Sequence, residues 1–110
     1  DFEAAVAAFM GKSDVVRRVI GEFIRKVELQ LDQLRDDLAA SNFASVRTVS
    51  HGIKGGAWNL EAKPLGDAGE ALEESSRAED AAASERALKE LRLTFTEFKN
   101  YCESLEELQL

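Results

Sequence analysis

The chain of 110 residues contains one cysteine, one proline and one histidine, and no apolar run approaches the length of a membrane span. Each shortage removes a class of protein. The lone cysteine, Cys102, cannot close an internal disulfide, so nothing in the sequence calls for an oxidising compartment. One cysteine and one histidine are too few for the convergent nitrogen and sulfur ligands of a zinc or iron centre. Basic residues are in deficit, 14 against 21 acidic ones, and the resulting charge of -7 opposes binding to a phosphate backbone. Neither an initiator methionine nor a signal peptide stands at Asp1, so the chain is expected to be a domain cut from a longer protein, with the cytoplasm as its compartment.

What is present suits one globular domain. Hydrophobic residues make up 45% and charged residues 32%, a balance that supports a single core and argues against disorder. Aliphatic residues recur at intervals of three and four, which is the period of helices and not of strands. A short opening helix is expected near residues 2–10, ended by "GKSD", where Ser13 or Asp14 can cap a long helix. That helix carries Val16, Ile20, Phe23, Val27, Leu31, Leu34 and Leu38 on one stripe. Ser41 or Asn42 can cap the next helix, which contains "SVRTVSHGIKGGAWNL" and is interrupted at "EAKP". Pro64 suits the first turn of a following helix bearing Leu65, Ala68 and Leu72. After "SSRAED", a last long helix begins near Ala81 and carries Leu88, Leu91, Phe95, Phe98, Cys102 and Leu105. The expected fold is all-α: an antiparallel up-down four-helix bundle over residues 1–110, with the short N-terminal helix laid across one end.

In the helix around the single histidine, Val46, Val49, Ile53, Ala57 and Leu60 fall on one side and His51 almost opposite. His51 is therefore expected on the solvent side, with Arg47, Thr48, Lys54, Gly55 and Trp58. A histidine so placed is either an indifferent surface residue or a functional one. The glycines bear on the choice, because Gly52, Gly55 and Gly56 lie within five positions, and each costs about 1 kcal/mol relative to alanine in a helix interior. Gly56 falls toward the core, where a missing side chain allows close packing. Gly55 falls on the solvent side one turn after His51, where it leaves room for something to approach the imidazole; Gly52 has no clear assignment. Lys54 and Arg47 bracket the ring, and a phosphoryl group carried there fits between them. Each cation at ~4 Å would contribute ~1 to ~4 kcal/mol, depending on local solvation. The helix dipole gives little help at a mid-helix position. No carboxylate lies three or four residues from His51, so no nucleophilic triad is signalled, and "KGG" lacks the strand and spacing of a phosphate-binding loop.

The series His51, Ile53, Lys54, Gly55, Asn59, Leu60 and Ala62, followed by Leu65, Ala68, Leu72 and Glu73, resembles the histidine phosphotransfer (HPt) domain of bacterial two-component phosphorelays. The upstream "FMGKSDVVRRVIGEF" is similar to that family's opening, so the resemblance spans most of the chain. It implies a four-helix bundle with an exposed, phosphorylatable histidine. His51 would exchange a phosphoryl group with the aspartate of a response-regulator receiver domain, Lys54 would compensate its charge, with Arg47 as a second cation, and Gly55 would clear the docking face. The resemblance implies a phosphohistidine carrier rather than an autonomous enzyme, with no intrinsic cofactor and with Mg²⁺ on the partner receiver. The partners implied are receiver domains and a histidine kinase, docking on a face that includes Phe43, Ala44, Thr48 and Trp58, without nucleic acid or membrane insertion. The isolated domain is expected to be a monomer, cytoplasmic, standing free or tethered to a membrane sensor in a hybrid kinase chain.

Two positions depart from the family's pattern. Glu61 stands where a helix-ending glycine is common, and Trp58 occupies a site more often small. The Trp58 ring is read either as folded over neighbouring aliphatics or as an anchor for the partner. Three further readings compete with the relay. One is the histidine-bearing domain of a chemotaxis kinase, whose motif also reads "HxIKGG" and which takes phosphate from its own ATP-binding domain. Another is a helical adaptor whose histidine is never phosphorylated. The third is a purely structural segment of a larger sensor, which leaves the costly Gly55 unexplained.

Overall fold

The computed structural model describes residues 14–109 as four α-helices: α1 (Asp14–Ala39), α2 (Phe43–Asn59), α3 (Lys63–Arg77) and α4 (Ala81–Gln109). Neighbours in sequence are neighbours in space, α4 closes against α1, and α2 with α3 form the most extensive contact. The fold is the expected all-α bundle. The opening helix anticipated at residues 2–10, and a cap at Ser13, lie outside the described residues.

The three connections share one construction. Each helix is followed by a residue in the left-handed region, Ser41 (φ 56°), Glu61 (φ 61°) and Glu79 (φ 54°). The next N–H then reaches back to close the helix end: Asn42 to the Asp37 carbonyl (2.8 Å), Ala62 to that of Ala57 (2.9 Å), and Asp80 to that of Ser75 (3.0 Å). This is the Schellman closure, built here without the glycine that normally relieves the left-handed conformation. The same residues start the next helix immediately. The side chain of Asn42 accepts from the Ser45 N–H (3.3 Å) and that of Asp80 from the Ala83 N–H (3.0 Å). Ala62 has no side-chain cap to offer, and Pro64 takes the first turn of α3 instead. The departure at Glu61 is thus resolved: α2 ends at Asn59, and Glu61 makes the turn that glycine would otherwise make.

The apolar stripes anticipated on α1 and α4 are buried at Ile20, Val27, Leu31, Leu34 and Leu38 and from Leu88 to Cys102, with Val16, Phe23 and Leu105 partly buried against them. The stripe on α2 is rotated from its expected register. Its buried residues are Val46, Ser50, Ile53 and Ala57, while Val49 is only half-buried. Ser50 is tolerated there because its hydroxyl donates to the Val46 carbonyl at 2.7 Å, which satisfies the one polar group it brings inside. Gly56 has the packing role expected of it, since a β-carbon at this position would stand 2.8 Å from the Phe23 ring of α1. Phe23 in turn meets Phe98 of α4 edge to face, with centroids 6.0 Å apart. With 26 and 29 residues, α1 and α4 are much longer than α2 and α3, with 17 and 15, and they run on past the α2–α3 turn.

Candidate functional site

The site is made where α2 and α3 come closest. A β-carbon on Gly69 would stand 3.2 Å from the Lys54 nitrogen and 3.3 Å from the Ser50 carbonyl oxygen, both backbone atoms of α2. Glycine at 69 and serine at 50 let the two helices touch there through main chain. Glu73 lies one turn beyond Gly69 on the same face of α3, and that close approach carries its carboxylate beneath His51.

Glu73 is the centre of the cluster. Its side chain is 7% exposed, and it is surrounded by basic groups: Oε2 accepts from His51 Nδ1 (2.9 Å) and from an Arg77 guanidinium nitrogen (3.3 Å). The Lys54 ammonium lies 2.6 Å from Oε1 as a close ion pair. Burial by itself pushes the Glu73 carboxyl up, but the hydrogen bonds and charges of Lys54 and His51 outweigh burial and hold it below its ordinary value. The group is therefore an ionised carboxylate, which can only accept. Nδ1 of His51 therefore carries a proton, and in the neutral ring the lone pair is on Nε2, on a side chain that is 65% exposed.

The anticipated site residues gather around this ring. A β-carbon on Gly55 or on Gly52 would meet nothing within 4 Å, so both positions leave open space beside His51. Phe43, Ala44 and Arg47 line a groove of about 180 Å³ with Ser76, Arg77 and Glu79, one turn from the histidine. Thr48 is exposed, its hydroxyl donating to the Ala44 carbonyl at 3.1 Å. Lys54 does not stand free beside the imidazole: its side chain is 17% exposed and its ammonium is committed to Glu73. That ammonium also lies 5.4 Å from the centroid of the Trp58 ring. Trp58 is 40% exposed, and its ring packs on the backbone of Gly66 in α3, since a β-carbon there would fall 2.0 Å from the ring.

Two members of the cluster were not anticipated from sequence. No carboxylate lies within a turn of His51 on its own helix, and the one that orients it, Glu73, arrives from the next helix, 22 residues away. The sequence does carry a signal for it: Glu73 falls in the buried register of α3, among Leu65, Ala68, Gly69, Leu72 and Ser76, where an acid needs a partner. Arg77 then follows four residues later, the spacing of a helical ion pair. Among the described residues, no group of three or more histidines, cysteines and carboxylates is placed to hold a metal ion, and no helix is long and apolar enough to cross a membrane.

No curated protein and no solved structure matches the chain. The family model described as Hpt domain matches residues 18–109, from the second turn of α1 to the end of α4. Hpt domains work with response regulators and kinases. The helical bundle and the extent of that match converge: the chain belongs to the Hpt domain family and has a histidine phosphotransfer role in a phosphorelay.

Proposed function

We propose that His51 accepts a phosphoryl group on Nε2 from the aspartyl phosphate of a receiver domain and returns it to the aspartate of another. The observation that carries this reading is the 2.9 Å contact between His51 Nδ1 and Glu73, which leaves Nε2 as the nucleophile on an exposed ring. The lone pair of Nε2 forms the N–P bond while the P–O bond to the aspartate breaks, and the aspartate leaves with the electron pair. The proton stays on Nδ1, so the ring becomes positive and the Glu73 carboxylate offsets that charge as it develops. A hydrogen bond to a charged group contributes about 1.5–3 kcal/mol, or roughly ten- to a hundredfold in rate.

The phosphoryl oxygens need positive charge in turn. Arg47 supplies it from the groove, Lys54 and Arg77 add to it from their places beside Glu73, and Mg²⁺ held by the receiver would supply the rest. The domain contributes a positioned nucleophile and the partner contributes the electrophile and its metal. The partner docks over the open space at Gly52 and Gly55, reaching the groove at Phe43, Ala44 and Arg47 and the rim at Thr48 and Trp58. The chain acts in the cytoplasm as a monomeric module, a phosphohistidine carrier within a longer sensor kinase system.

The test is transfer of labelled phosphate from a panel of phosphorylated receiver domains to the wild type and to His51→Gln. Acid-labile, alkali-stable label on the wild type alone is the expected result, with ¹⁵N–³¹P coupling placing phosphorus on Nε2. Label delivered only by an ATP-binding kinase domain would establish the chemotaxis-kinase arrangement instead. An intact bundle that takes label from neither would overturn the phosphotransfer reading of His51 in favour of the adaptor.

A further inference from the structure

We infer that Trp58 is a positioning residue for His51, acting at a distance by holding the Lys54 ammonium on Glu73; its kinetic consequence rests on the phosphotransfer reading above. A lysine on the outer face of a helix ordinarily keeps its charged end in water and samples many rotamers, at an entropic cost of about 2 kcal/mol when it is fixed. Lys54 does neither. Its side chain is 17% exposed although it neighbours the open face of α2, and its ammonium sits 2.6 Å from a buried carboxylate oxygen.

The cover over Lys54 is the Trp58 ring, one turn further along α2. The ammonium lies 5.4 Å from the ring centroid, within the range at which the π-face attracts a cation. The ring is itself located by backbone. A β-carbon at Gly66 would stand 2.0 and 2.1 Å from two ring atoms, so the indole occupies the space that a side chain on α3 would otherwise fill. Contacts therefore run in series from Gly66 to Trp58, to Lys54, to Glu73 and finally to His51 Nδ1.

Removing the ring uncovers Lys54 and lets its ammonium move into water. The Oε1 atom of Glu73 then loses its close cation, and the carboxylate is freer to turn Oε2 away from His51. A tryptophan on the face of a relay histidine invites a different assignment, an anchor for the partner. The two assignments differ in what happens when no partner protein is present. Phosphoramidate, a small donor, can phosphorylate an imidazole without a docking surface: Nε2 forms the N–P bond, the P–N bond of the donor breaks, and ammonia leaves.

With phosphoramidate, Trp58→Ala should phosphorylate about two- to fivefold more slowly than wild type, the rate equivalent of one cation–π contact. Trp58→Phe, which keeps a ring under the ammonium, should recover most of that loss. In a Lys54→Met background, Trp58→Ala should cost nothing further. A second readout needs no phosphate at all. In the unphosphorylated protein, the His51 Nδ1 proton should exchange with solvent faster in Trp58→Ala than in wild type, as seen in ¹H–¹⁵N spectra of the imidazole. If no donor phosphorylates even the wild type, the phosphotransfer reading falls while this exchange measurement still decides the role of Trp58. An unchanged phosphoramidate rate and unchanged exchange, with only the KM for a receiver raised, would overturn the inference and make Trp58 a docking anchor.

Discussion

Replacing Gly55 with leucine should make this protein more stable and much worse at receiving phosphate from a protein partner. A β-carbon at position 55 meets nothing within 4 Å, so the new side chain starts out into open space. The helix gains, because leucine is better than glycine in a helix interior by about 0.7 kcal/mol, which for a domain of this size raises Tm by roughly 3–4 °C. Under the proposed function the same open space is the approach to Nε2 of His51, one turn away, and a leucine puts four carbon atoms into it. Transfer requires the phosphorus to come within about 3–3.5 Å of the nitrogen, and a displacement of about 1 Å from that geometry costs on the order of a hundredfold. Melting followed by circular dichroism measures the first effect, and single-turnover transfer from a phosphorylated receiver measures the second. Phosphoramidate serves as the control, and its rate should stay within about twofold of wild type. Receiver-dependent transfer that survives Gly55→Leu unchanged would refute the steric argument, and a lowered Tm would refute the claim that the position is open.

Other substitutions test the remaining parts of the site. Glu73→Gln should slow transfer about ten- to a hundredfold and, at neutral pH, lower stability by about 1–2 kcal/mol, since Lys54 loses its counter-charge. Because the Glu73 carboxyl is held low in the folded protein, its contribution is complete above the unfolded carboxylate value and is lost as pH falls through the folded one. Urea unfolding should therefore separate wild type from Glu73→Gln at pH 7 and bring them together as the pH falls below the ordinary carboxylate range; a gap that persists in acid would contradict the charge argument. Glu61→Gly should stabilise the bundle by about 0.5–1 kcal/mol by relieving a left-handed residue at φ 61°, and a neutral or negative change in urea would show that the turn is unstrained. Gly69→Ala should cost about 1–3 kcal/mol and slow transfer as well, because the added methyl meets α2 backbone that has no rotamer to escape into. Wild-type stability in that variant would mean the helices separate there at no cost.

The parts of the structure that were legible in the sequence are those governed by local rules. Asn42 as a cap, Pro64 in a first turn and the start of α4 at Ala81 follow from residues within one helical turn, and each lies where it was expected. The exposure of His51 followed from angular position alone. The register of α2 was read less well, because apolar arithmetic favours Val49, whereas the neighbouring helix selects the small Ser50 at the point of closest approach. Glu73 was hidden for a related reason. Its link to His51 depends on how two helices slide against each other, and that register is set by Gly69 and Gly66 meeting the backbone and ring of α2. A glycine announces a close contact but does not name what will fill it.

The contacts that define the site, from Phe43 to Arg77, are confined to the α2–α3 hairpin, joined by a single tight turn. Bringing Glu73 to His51 closes a loop of only 22 residues, so the loop entropy is small and the pair can assemble early in folding, before the ends of α1 and α4 have docked. The overhanging ends of those two long helices can open and reclose without touching the His51 ring. Amide exchange should then run fast at the outer turns and slow through Ser50 to Ala57, and the hairpin can keep its geometry while the ends of the long helices fluctuate.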